Sequence, residues 1–473
     1  MNAKNEYDAV VVGSGPNGLA AAITFARTGR SVLVLEAAQH IGGGTRSAAL
    51  TLPGFTHDVC SAVHPMAVAS PFFRSLPLQQ HGLEWLHPPL CLAHPLDDGS
   101  AAVIEPSLEK TCEALGSDGE PYRSLLGTIS ANWKDLENDL LRPIGFPGHP
   151  LRMARFGIHA LQPATRLARA QFRTEPARAL FAGLAAHSLM PLESWGTAAI
   201  GLVIGAVAHV AGWPIAKGGS QQIANALASY LRSLGGEIVT GVRVRSLRDL
   251  PPTKAMLCDV SPRALLAIAG DALPPSYRTA LARFDYGAGV FKMDWALRGP
   301  IPWQAAECRS AGTLHIGGTL DEIARAEREC CTTAHSERPF VLLSQPSLFD
   351  STRAPAACHT AWAYCHVPSG STVDMTARIE AQIERFAPGF RELILARATR
   401  CAAQLEQENA NLVGGNVTGG ANSLRQLLVR PTLRGYETPM PGVFLCSAST
   451  PPGGGVHGMC GFHAATRALA RLD

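Results

Sequence analysis

The first 36 residues alternate apolar runs with a short glycine-rich stretch. Residues 7–12 (YDAVVV) and 31–35 (SVLVL) are almost wholly apolar, and the alanine-rich residues 19–28 lie between them. Strands without alternating polar positions suit a parallel sheet that is buried on both faces. The order strand, helix, strand therefore predicts a βαβ unit and an α/β fold.

Hydrophobic patterns farther along the chain predict further elements. Residues 76–214 combine proline-rich loops with helices such as 176–189, and they show no regular strand alternation. A second αβ element follows, with a helix that opens at Ser220 or Gln221 and a strand over residues 237–247. No repeat or low-complexity linker separates these parts, so we expect interleaved domains.

Two later patterns complete this outline. Ser261 is predicted to cap a helix that has Pro262 at its first position, because a serine oxygen can accept from the first turn and proline needs no partner there. Residues 285–297 and 339–346 are predicted to be strands of another sheet.

One apolar stretch approaches the length of a membrane span. Residues 196–213 (GTAAIGLVIGAVAHVAGW) run for 18 residues without a formal charge, the lower limit for a spanning helix. Its glycines and His209 weaken that interpretation, and no basic flank would orient it. We expect a buried helix that lines an apolar cavity.

Composition limits the functions that the chain can have. The 473 residues are 17% charged, below the roughly 25% of an average soluble protein, which indicates a large buried area or an apolar ligand cavity. The 41 Lys and Arg nearly balance the 38 Asp and Glu, so neither a nucleic-acid partner nor an acidic tail is indicated.

Cysteine spacing and the N-terminal residues exclude other classes. The 12 cysteines contain no C-x-x-C pair, and Cys330 and Cys331 are adjacent. A zinc ribbon and a disulfide reductase with a redox cysteine pair are therefore excluded, and we expect no metal site. The six residues before Tyr7 contain no hydrophobic core, so we expect no secretory signal and a cytoplasmic location.

A glycine motif, G-x-G-x-x-G, joins the first strand to the first helix. Its first glycine permits a tight turn, its second lets the backbone approach a pyrophosphate, and its third allows close packing of helix and strand. The helix start offers free N–H groups to phosphates, and an acid after the next strand can accept both ribose hydroxyls. The predicted dinucleotide-binding residues here are Gly13, Gly15, Pro16, Asn17, Gly18, Glu36 and Ala37.

A second glycine cluster, Gly42 to Gly44, follows the ribose acid. In flavoproteins with two dinucleotide-binding domains, a Gly-Gly segment at this position runs along the FAD pyrophosphate. The chain resembles the phytoene desaturase and amine oxidase branch of FAD-dependent oxidoreductases, and most closely the bacterial phytoene-dehydrogenase-like proteins. The resemblance implies that Gly43 and Gly44 contact FAD. In that branch an arginine often follows the doublet directly, whereas Gly44 stands there in this chain and Arg46, the expected contact to a flavin phosphate, comes two places later.

The resemblance extends to the middle and the end of the chain. The segment AKGGSQQIANALASYLRSLGGEIVTGVRVRSL is similar to a helix and strand that contact the adenine, which points to Val244. The stretch PGVFLCSASTPPGGGVHGMCGFHAATRAL resembles the closing FAD motif, in which the flavin ring lies against a glycine loop. The resemblance implies that Gly454, Gly455, Gly458 and the N–H of Met459 or a neighbour contact the flavin.

Three histidines are the catalytic candidates, although a flavin reaction needs no base from the protein. His457 lies in the terminal glycine loop, His64 in CSAVHP and His366 at a predicted strand end in WAYCHVPSG. For His64 the alternative is a loop histidine that is bonded to the backbone. Cys460, at the start of the last helix, is expected to be favoured as a thiolate by the helix dipole.

A lysine and several aromatic residues have structural explanations. Lys292 alternates with apolar neighbours on a strand, so we expect it to be solvated or salt-bridged, although amine oxidases place a lysine behind the flavin. Trp295, Trp362 and Tyr364 are expected in the core rather than around a substrate.

Arginines are concentrated in one segment. Residues 142–178 contain seven arginines and one acidic residue, Glu175, interspersed with Leu, Phe and Ile. Such a segment can form a basic amphipathic surface that collects an apolar substrate from a membrane. Solvated helices are the alternative, so peripheral membrane contact and a homodimer both stay open.

The resemblance implies a two-dinucleotide-binding-domain type of α/β fold. We expect a Rossmann-like FAD-binding domain from residues 1–75, 215–270 and 430–473. Residues 76–214 and 271–429 are expected to form an interleaved, mixed α+β substrate domain.

The resemblance also implies an FAD-dependent oxidoreductase that removes hydride from an apolar or amphipathic organic substrate and forms a C=C or C=N bond. The alternatives are a flavin-dependent isomerase or saturase, and a non-catalytic prenyl or lipid carrier of the GDP-dissociation-inhibitor type. No second complete βαβ nucleotide unit is evident, which leaves oxygen, a quinone or another protein to reoxidise the flavin.

Overall fold

Two large sheets organise the chain, whose computed structural model describes residues 6–472. The strands are β1 (Tyr7–Val12), β2 (Val32–Leu35), β3 (Ser47–Ala48), β4 (His57–Asp58), β5 (Trp85–Leu86), β6 (Leu90–Pro95), β7 (Ala101–Ile104), β8 (Ile215–Ala216), β9 (Glu237–Val239), β10 (Thr253–Cys258), β11 (Gly289–Leu297), β12 (Ala311–Ile316), β13 (Val341–Ser344), β14 (His359–Val367), β15 (Ile394–Arg400) and β16 (Val443–Leu445). Apart from Glu6, the residues before Tyr7 that bear on a secretory signal lie outside the described part.

The helices are distributed over the whole described chain. They are α1 (Pro16–Ala26), α2 (Pro65–Ala69), α3 (Pro71–Arg74), α4 (Leu108–Ala114), α5 (Gly119–Tyr122), α6 (Thr128–Ala131), α7 (Trp133–Leu140), α8 (Pro150–Ala160), α9 (Ala164–Gln171), α10 (Glu175–Ala186), α11 (Thr197–Ala211), α12 (Gln221–Ser233), α13 (Pro262–Ala269), α14 (Pro275–Ala282), α15 (Leu320–Cys330), α16 (Thr376–Phe386), α17 (Ala402–Glu408), α18 (Leu424–Leu428) and α19 (Met459–Leu472).

The first sheet is parallel throughout, in the order β16-β10-β1-β2-β9. Helix α1 packs on β1 and β2 and contacts α12 and α19. At Gly461 of α19, a Cβ would lie 1.8 Å from the Asn17 carbonyl oxygen, so the two helix backbones touch. Residues of α13 and α14 pack against β10 and β16 in a separate cluster, so the sheet is covered on both faces, which explains why its strands are apolar without alternation.

All five strands of this sheet come from the segments 1–75, 215–270 and 430–473. The division into domains itself stays a prediction. The βαβ unit, the capping of α13 by Ser261 and the position of Pro262 are confirmed, and the Ser261 hydroxyl accepts a hydrogen bond from the Ala264 N–H at 3.2 Å.

The second sheet is mixed, in the order β15-β11-β14-β13-β12-β6-β7. Its β12–β6 pair is parallel and its other pairs are antiparallel. One face packs against α16, and the other faces a layer that contains α10 and α11. Two of its strands, β6 and β7, lie within residues 76–214, where the sequence shows no regular strand alternation. Both are short and almost fully buried, which removes the polar alternation that would have marked them.

Two other segments depart from prediction in informative ways. The strand expected over residues 237–247 ends at Val239, because the chain leaves the sheet at Gly241, which has a φ of 74°. Helix α11 has 15 residues, and its Gly201 and Gly205 allow α10 to approach closely. Among residues 6–472, no helix combines the length and the apolar character needed to cross a bilayer.

Candidate cofactor and substrate site

The glycine turn between β1 and α1 leaves no room for a side chain at its three glycine positions. A Cβ at Gly15 would lie 2.8 Å from a carboxylate oxygen of Asp259, and one at Gly18 would lie 2.1 Å from the Gly13 carbonyl oxygen. Gly13 itself has a φ of 103°, which favours glycine. The turn therefore brings its backbone, including the start of α1, to the edge of a cavity.

Glu36 follows β2 and is held rigidly beside this turn. Its Oε2 accepts hydrogen bonds from the Ser14 N–H at 2.9 Å and the Ser14 hydroxyl at 2.7 Å, and its Oε1 accepts from the Ala38 N–H at 2.8 Å. The Val242 N–H in turn donates to the Glu36 carbonyl oxygen at 2.8 Å. The carboxylate is therefore oriented before any ligand arrives.

Asp259 is a site residue that sequence reasoning missed. It follows β10 and accepts a hydrogen bond from the Gly18 N–H, with 2.9 Å between Oδ2 and N. Burial raises the pKa of Asp259 to about 7; the Gly18 hydrogen bond opposes this shift and the charge of Glu36 adds to it. An acid directly after an apolar strand that pairs with β1 was the available signal, because the carboxyl ends of parallel strands share one edge.

The turn, Glu36 and Asp259 line a cavity of about 320 Å³, called here the cofactor cavity. The predicted residues that line it are Gly13, Gly15, Pro16, Asn17, Glu36, Ala37, Gly43, Gly44, Arg46, Val244 and Gly455. Arg46 donates from Nε to the Gly43 carbonyl oxygen at 3.0 Å, which closes the second glycine segment on itself. Residues 409–412 and 447–449 also line the cavity and were not predicted.

A second cavity of about 700 Å³ adjoins the first and is called here the substrate cavity. Its walls are mainly apolar and come from α8, α11 and the inner face of the second sheet. The lining of a cavity by residues of α11 is confirmed. The two cavities share Cys60, Ser61, Val417, Gly455 and Val456 in their linings.

Fewer residues of the closing glycine loop line the two cavities than were predicted. Gly454 and Gly455 line the substrate cavity, whereas Gly458 and Met459 line neither cavity. A Cβ at Gly458 would lie 2.6 Å from the Phe73 ring, so this glycine permits packing between helices. The Met459 N–H donates to Nδ1 of His457 at 3.0 Å, so the predicted donation to a flavin is wrong for this residue.

Cys460 also differs from expectation. It is fully buried, and its thiol donates to the carbonyl oxygens of Gly453 and Thr450 at 3.3 and 3.4 Å. Burial raises the pKa of Cys460 to about 11, so the thiol and not the thiolate is present at neutral pH. The start of α19 therefore does not produce a reactive cysteine.

Two of the three candidate histidines line the substrate cavity. His64 is hydrogen-bonded through Nε2 to the Ser220 hydroxyl at 2.8 Å, and His457 accepts from Met459 as described. Burial lowers the pKa of His64 to about 4 and the pKa of His457 to about 4. Both rings are therefore neutral at pH 7.

His366 lines neither cavity, and its prediction as a catalytic residue is corrected. Its Nδ1 lies 2.8 Å from both carboxylate oxygens of Glu327 on α15. It shares a face of β14 with Trp362 and Tyr364, but its Nδ1 is engaged in this separate buried contact with Glu327. The sulfur of Cys330 lies nearby, so that Cys330, His366 and Glu327 place three ligand-type atoms within 4.8 Å of one another.

Lys292 projects from β11 into the substrate cavity wall and is buried rather than solvated. Its ammonium group donates to Asp294, and the other oxygen of Asp294 lies 3.7 Å from Nδ1 of His57. Burial lowers the pKa of Lys292, and the charge of Asp294 opposes that shift. Trp295 is a core aromatic as predicted, and Trp362 is buried in the core as well but, like Tyr364, also lines the cavity.

Arg430 lines the substrate cavity without a carboxylate partner among the described residues. It is 3% exposed, and its Nη2 donates to the carbonyl oxygens of Thr418 and Ala448 at 3.0 and 3.1 Å. Burial lowers the pKa of Arg430 to about 10. Among the described residues, carbonyl dipoles and the face of the Phe284 ring therefore balance this buried cation.

Comparison with known proteins agrees with this architecture. Residues 11–76 match the family model of an NAD(P)-binding Rossmann-like domain. The match spans the end of β1, helix α1 and β2, so this part of the first sheet is Rossmann-like. Over 552 aligned residues the chain is 26% identical to pyridine nucleotide-disulfide oxidoreductase domain-containing protein 2 of Rattus norvegicus, with 98% of this chain and 93% of that protein covered.

Solved structures share the fold over nearly the whole chain. An oxidoreductase from Methanosarcina mazei superposes with a TM-score of 0.67 at 15% identity and covers 98% of this chain and 99% of its own. Cyclohexylamine oxidase from Brevibacterium oxydans gives 0.61 at 17%, covering 98% and 99%. A Rab GDI from Plasmodium falciparum gives 0.55 at 12%, covering 99% and 97%. The α/β fold class expected from the sequence is therefore confirmed.

Proposed function

We propose that the protein is an FAD-dependent oxidoreductase of the phytoene desaturase and amine oxidase branch that removes hydride from an apolar or amphipathic organic substrate. The observation that carries this proposal is the meeting of the cofactor cavity with a larger apolar cavity at Cys60, Ser61, Val417, Gly455 and Val456. A ligand that spans both cavities would present its reactive end to a substrate. Neighbouring oxidoreductases with this fold support the reaction class.

The cofactor cavity fits a dinucleotide. Gly13 and Gly15 bring the backbone to its edge where side chains would collide, as a pyrophosphate requires. Glu36 presents an oriented carboxylate for ribose hydroxyls, beside Val242 and Val244 for the adenine. Bound FAD would accept the hydride of the substrate at its flavin ring.

The residues around the junction would orient the substrate and exclude water. His64 and His457 are neutral, so they offer hydrogen bonds rather than positive charge. Lys292 and Asp294 form a buried ion pair behind the cavity wall. We expect these groups to hold a substrate in place, while the apolar side chains of α11 keep water away from the reacting bond.

The charges in the cavity favour a neutral or anionic substrate over a cationic amine. Arg430 contributes a positive charge without a carboxylate partner, Lys292 is paired with Asp294, and the carboxylate that lines the cavity, Asp139, is already paired with Arg142. A protonated amine would therefore meet cations without a free acid among the described lining residues. This arrangement supports formation of a C=C bond over formation of a C=N bond.

The experiment mixes the FAD-loaded protein with candidate substrates in the absence of oxygen. A matched set of long-chain compounds that differ only in a carboxylate, hydroxyl or ammonium end group tests both cavity and charge. We expect loss of the oxidised flavin absorbance with carboxylate or neutral members and little with the ammonium member. Bleaching by amines alone would favour amine oxidation.

The same experiment separates the remaining candidates. An isomerase or saturase would change the substrate without net bleaching, and would require previously reduced flavin. A carrier, which the structural likeness to a Rab GDI keeps open, would bind the lipid-like compounds without flavin. The electron acceptor, oxygen, a quinone or another protein, is identified afterwards from the rate of reoxidation.

A further inference from the structure

Exposed apolar side chains surround the opening of the substrate cavity. Helix α8 and its flanking loops carry several of them, and the side chains of Phe146 and Leu151 are among the most exposed, at 87% and 82%. We call this surface the mouth patch. Its members are Ile144, Phe146, Leu151, Ile158, Leu161 and Leu428.

The position of this patch follows from residues that belong both to it and to the cavity. Ile144, Leu161 and Leu428 are solvent-exposed and also line the substrate cavity, so they mark where the cavity opens to the surface. On α8, the lining residues Met153 and Gly157 alternate with exposed ones. The helix therefore has an apolar inner face and a partly apolar outer face.

The outer face of α8 is more apolar than a solvated helix requires. Leu151 and Ile158 recur at a spacing of seven residues, and Arg155 lies between them on the exposed side. Contiguous apolar side chains on a surface mark an interaction site more often than isolated ones do. Helices that lie in a membrane interface combine exposed apolar side chains with basic ones.

The unpaired charge on α8 is positive. Residues 141–173 contain six arginines and no acidic residue, but acids from other segments pair with three of these arginines: Asp139 with Arg142, Asp135 with Arg152 and Asp321 with Arg169. Arg155 makes no ion pair or side-chain hydrogen bond with any residue in the described part of the chain. Anionic lipid headgroups attract such a surface, at about 1 kcal/mol for each Lys or Arg near the membrane.

We propose that the mouth patch docks the protein on an anionic phospholipid bilayer, so that an apolar substrate passes from the membrane directly into the substrate cavity. A second copy of this chain fits the patch less well. A symmetric dimer brings a surface against itself, and here that contact would place the unpaired Arg155 of each copy in the same interface as the Arg155 of the other. The docking itself does not depend on the proposed redox reaction.

The test measures sedimentation of the FAD-loaded protein with vesicles of phosphatidylcholine, with and without phosphatidylglycerol, at low and high salt. The variants are the double change Phe146→Ser and Leu151→Ser, and the single change Arg155→Gln. Leu395→Ser, on the edge strand β15, and Arg248→Gln are matched exposed controls that line neither cavity.

We expect binding to phosphatidylglycerol vesicles that high salt weakens. The double change should weaken vesicle binding about tenfold or more, because both apolar side chains leave the interface. The single change Arg155→Gln should weaken vesicle binding about fivefold, because one positive charge is lost. The controls should bind as the unchanged protein does. Circular dichroism and FAD content should be normal in every variant, because all the altered side chains are exposed.

Three results would overturn the proposal. One is the absence of vesicle binding by folded, FAD-loaded protein at low salt, and another is equal binding by the patch variants and the controls. The third is a dimer in solution that the double change dissociates, because the patch would then be an interface between copies. Bleaching of the flavin by dispersed substrate, measured without vesicles, shows separately whether the proposed function holds.

Discussion

The carboxylate of Asp259 accepts a hydrogen bond from the backbone N–H of Gly18, with 2.9 Å between Oδ2 and N. The contact joins the end of β10 to the first turn of α1, although the two residues are 241 positions apart. An acid thus occupies the end of a helix dipole that phosphate groups also favour. The site holds a carboxyl group whose protonation state affects the binding of an anionic cofactor.

Asp259→Asn should remove a pH dependence of FAD binding. The pKa of Asp259 is raised to about 7, so the group ionises as pH rises above neutrality, and its charge then opposes the FAD diphosphate. In the unchanged protein the Kd for FAD should rise above pH 7, by at most about tenfold per pH unit. The variant should show a flat profile, measured by fluorescence titration; Asp271→Asn, at an exposed acid, is the control.

The same residue predicts how stability varies with pH in the FAD-free protein. Below pH 3.8 the carboxyl group is protonated in both states, and between pH 3.8 and about 7 only the unfolded chain releases the proton. The free energy of unfolding should therefore fall as pH rises through this range. At pH 8, Asp259→Asn should be more stable than the unchanged protein by on the order of 1–3 kcal/mol. Urea unfolding at pH 5 and pH 8 measures the difference, and a larger gain at pH 5 would contradict the assignment.

Glu36→Ala should weaken FAD binding by roughly 1.5–3 kcal/mol for each charge-assisted ribose hydrogen bond that is lost. The carboxylate is already oriented by Ser14 and Ala38, so its removal also leaves those backbone donors without their acceptor. Glu36→Gln retains an acceptor and should lose less. Equilibrium dialysis gives the affinities, and undiminished binding in the alanine variant would exclude a ribose role for Glu36.

Gly455→Val should impair FAD binding, whereas Gly458→Val should impair the stability of the fold. Gly455 lies where the cavities meet, with a φ of 125°, so the variant should lose FAD affinity and shift the flavin spectrum. Gly458 packs against Phe73, so its variant should lose about 3 kcal/mol or more of stability through overpacking, with or without FAD. Gly370→Val, at an exposed glycine with a φ of 70°, controls for backbone strain. Thermal unfolding and FAD titration of all three variants separate the effects.

The elements that local pattern specifies were predictable, and contacts between distant segments were not. The βαβ unit and Ser261 follow from neighbouring residues, and they are as expected. Asp259 reaches its place only because β10 pairs with β1. The resemblance to the closing FAD motif indicates a glycine loop but does not show which glycine faces a ligand, so Gly458 was misassigned. His366 was assigned to the cavity because sequence does not show that Glu327 holds it.

The most direct test of the account is the identity and amount of flavin released when the purified protein is denatured. Chromatography of the supernatant should show FAD rather than FMN, at about one molecule for each chain, because Glu36 and the turn at Gly13 and Gly15 suit an adenosine ribose and a pyrophosphate. A colourless protein that reconstitution with FAD leaves colourless, although it is folded by circular dichroism, would contradict the account.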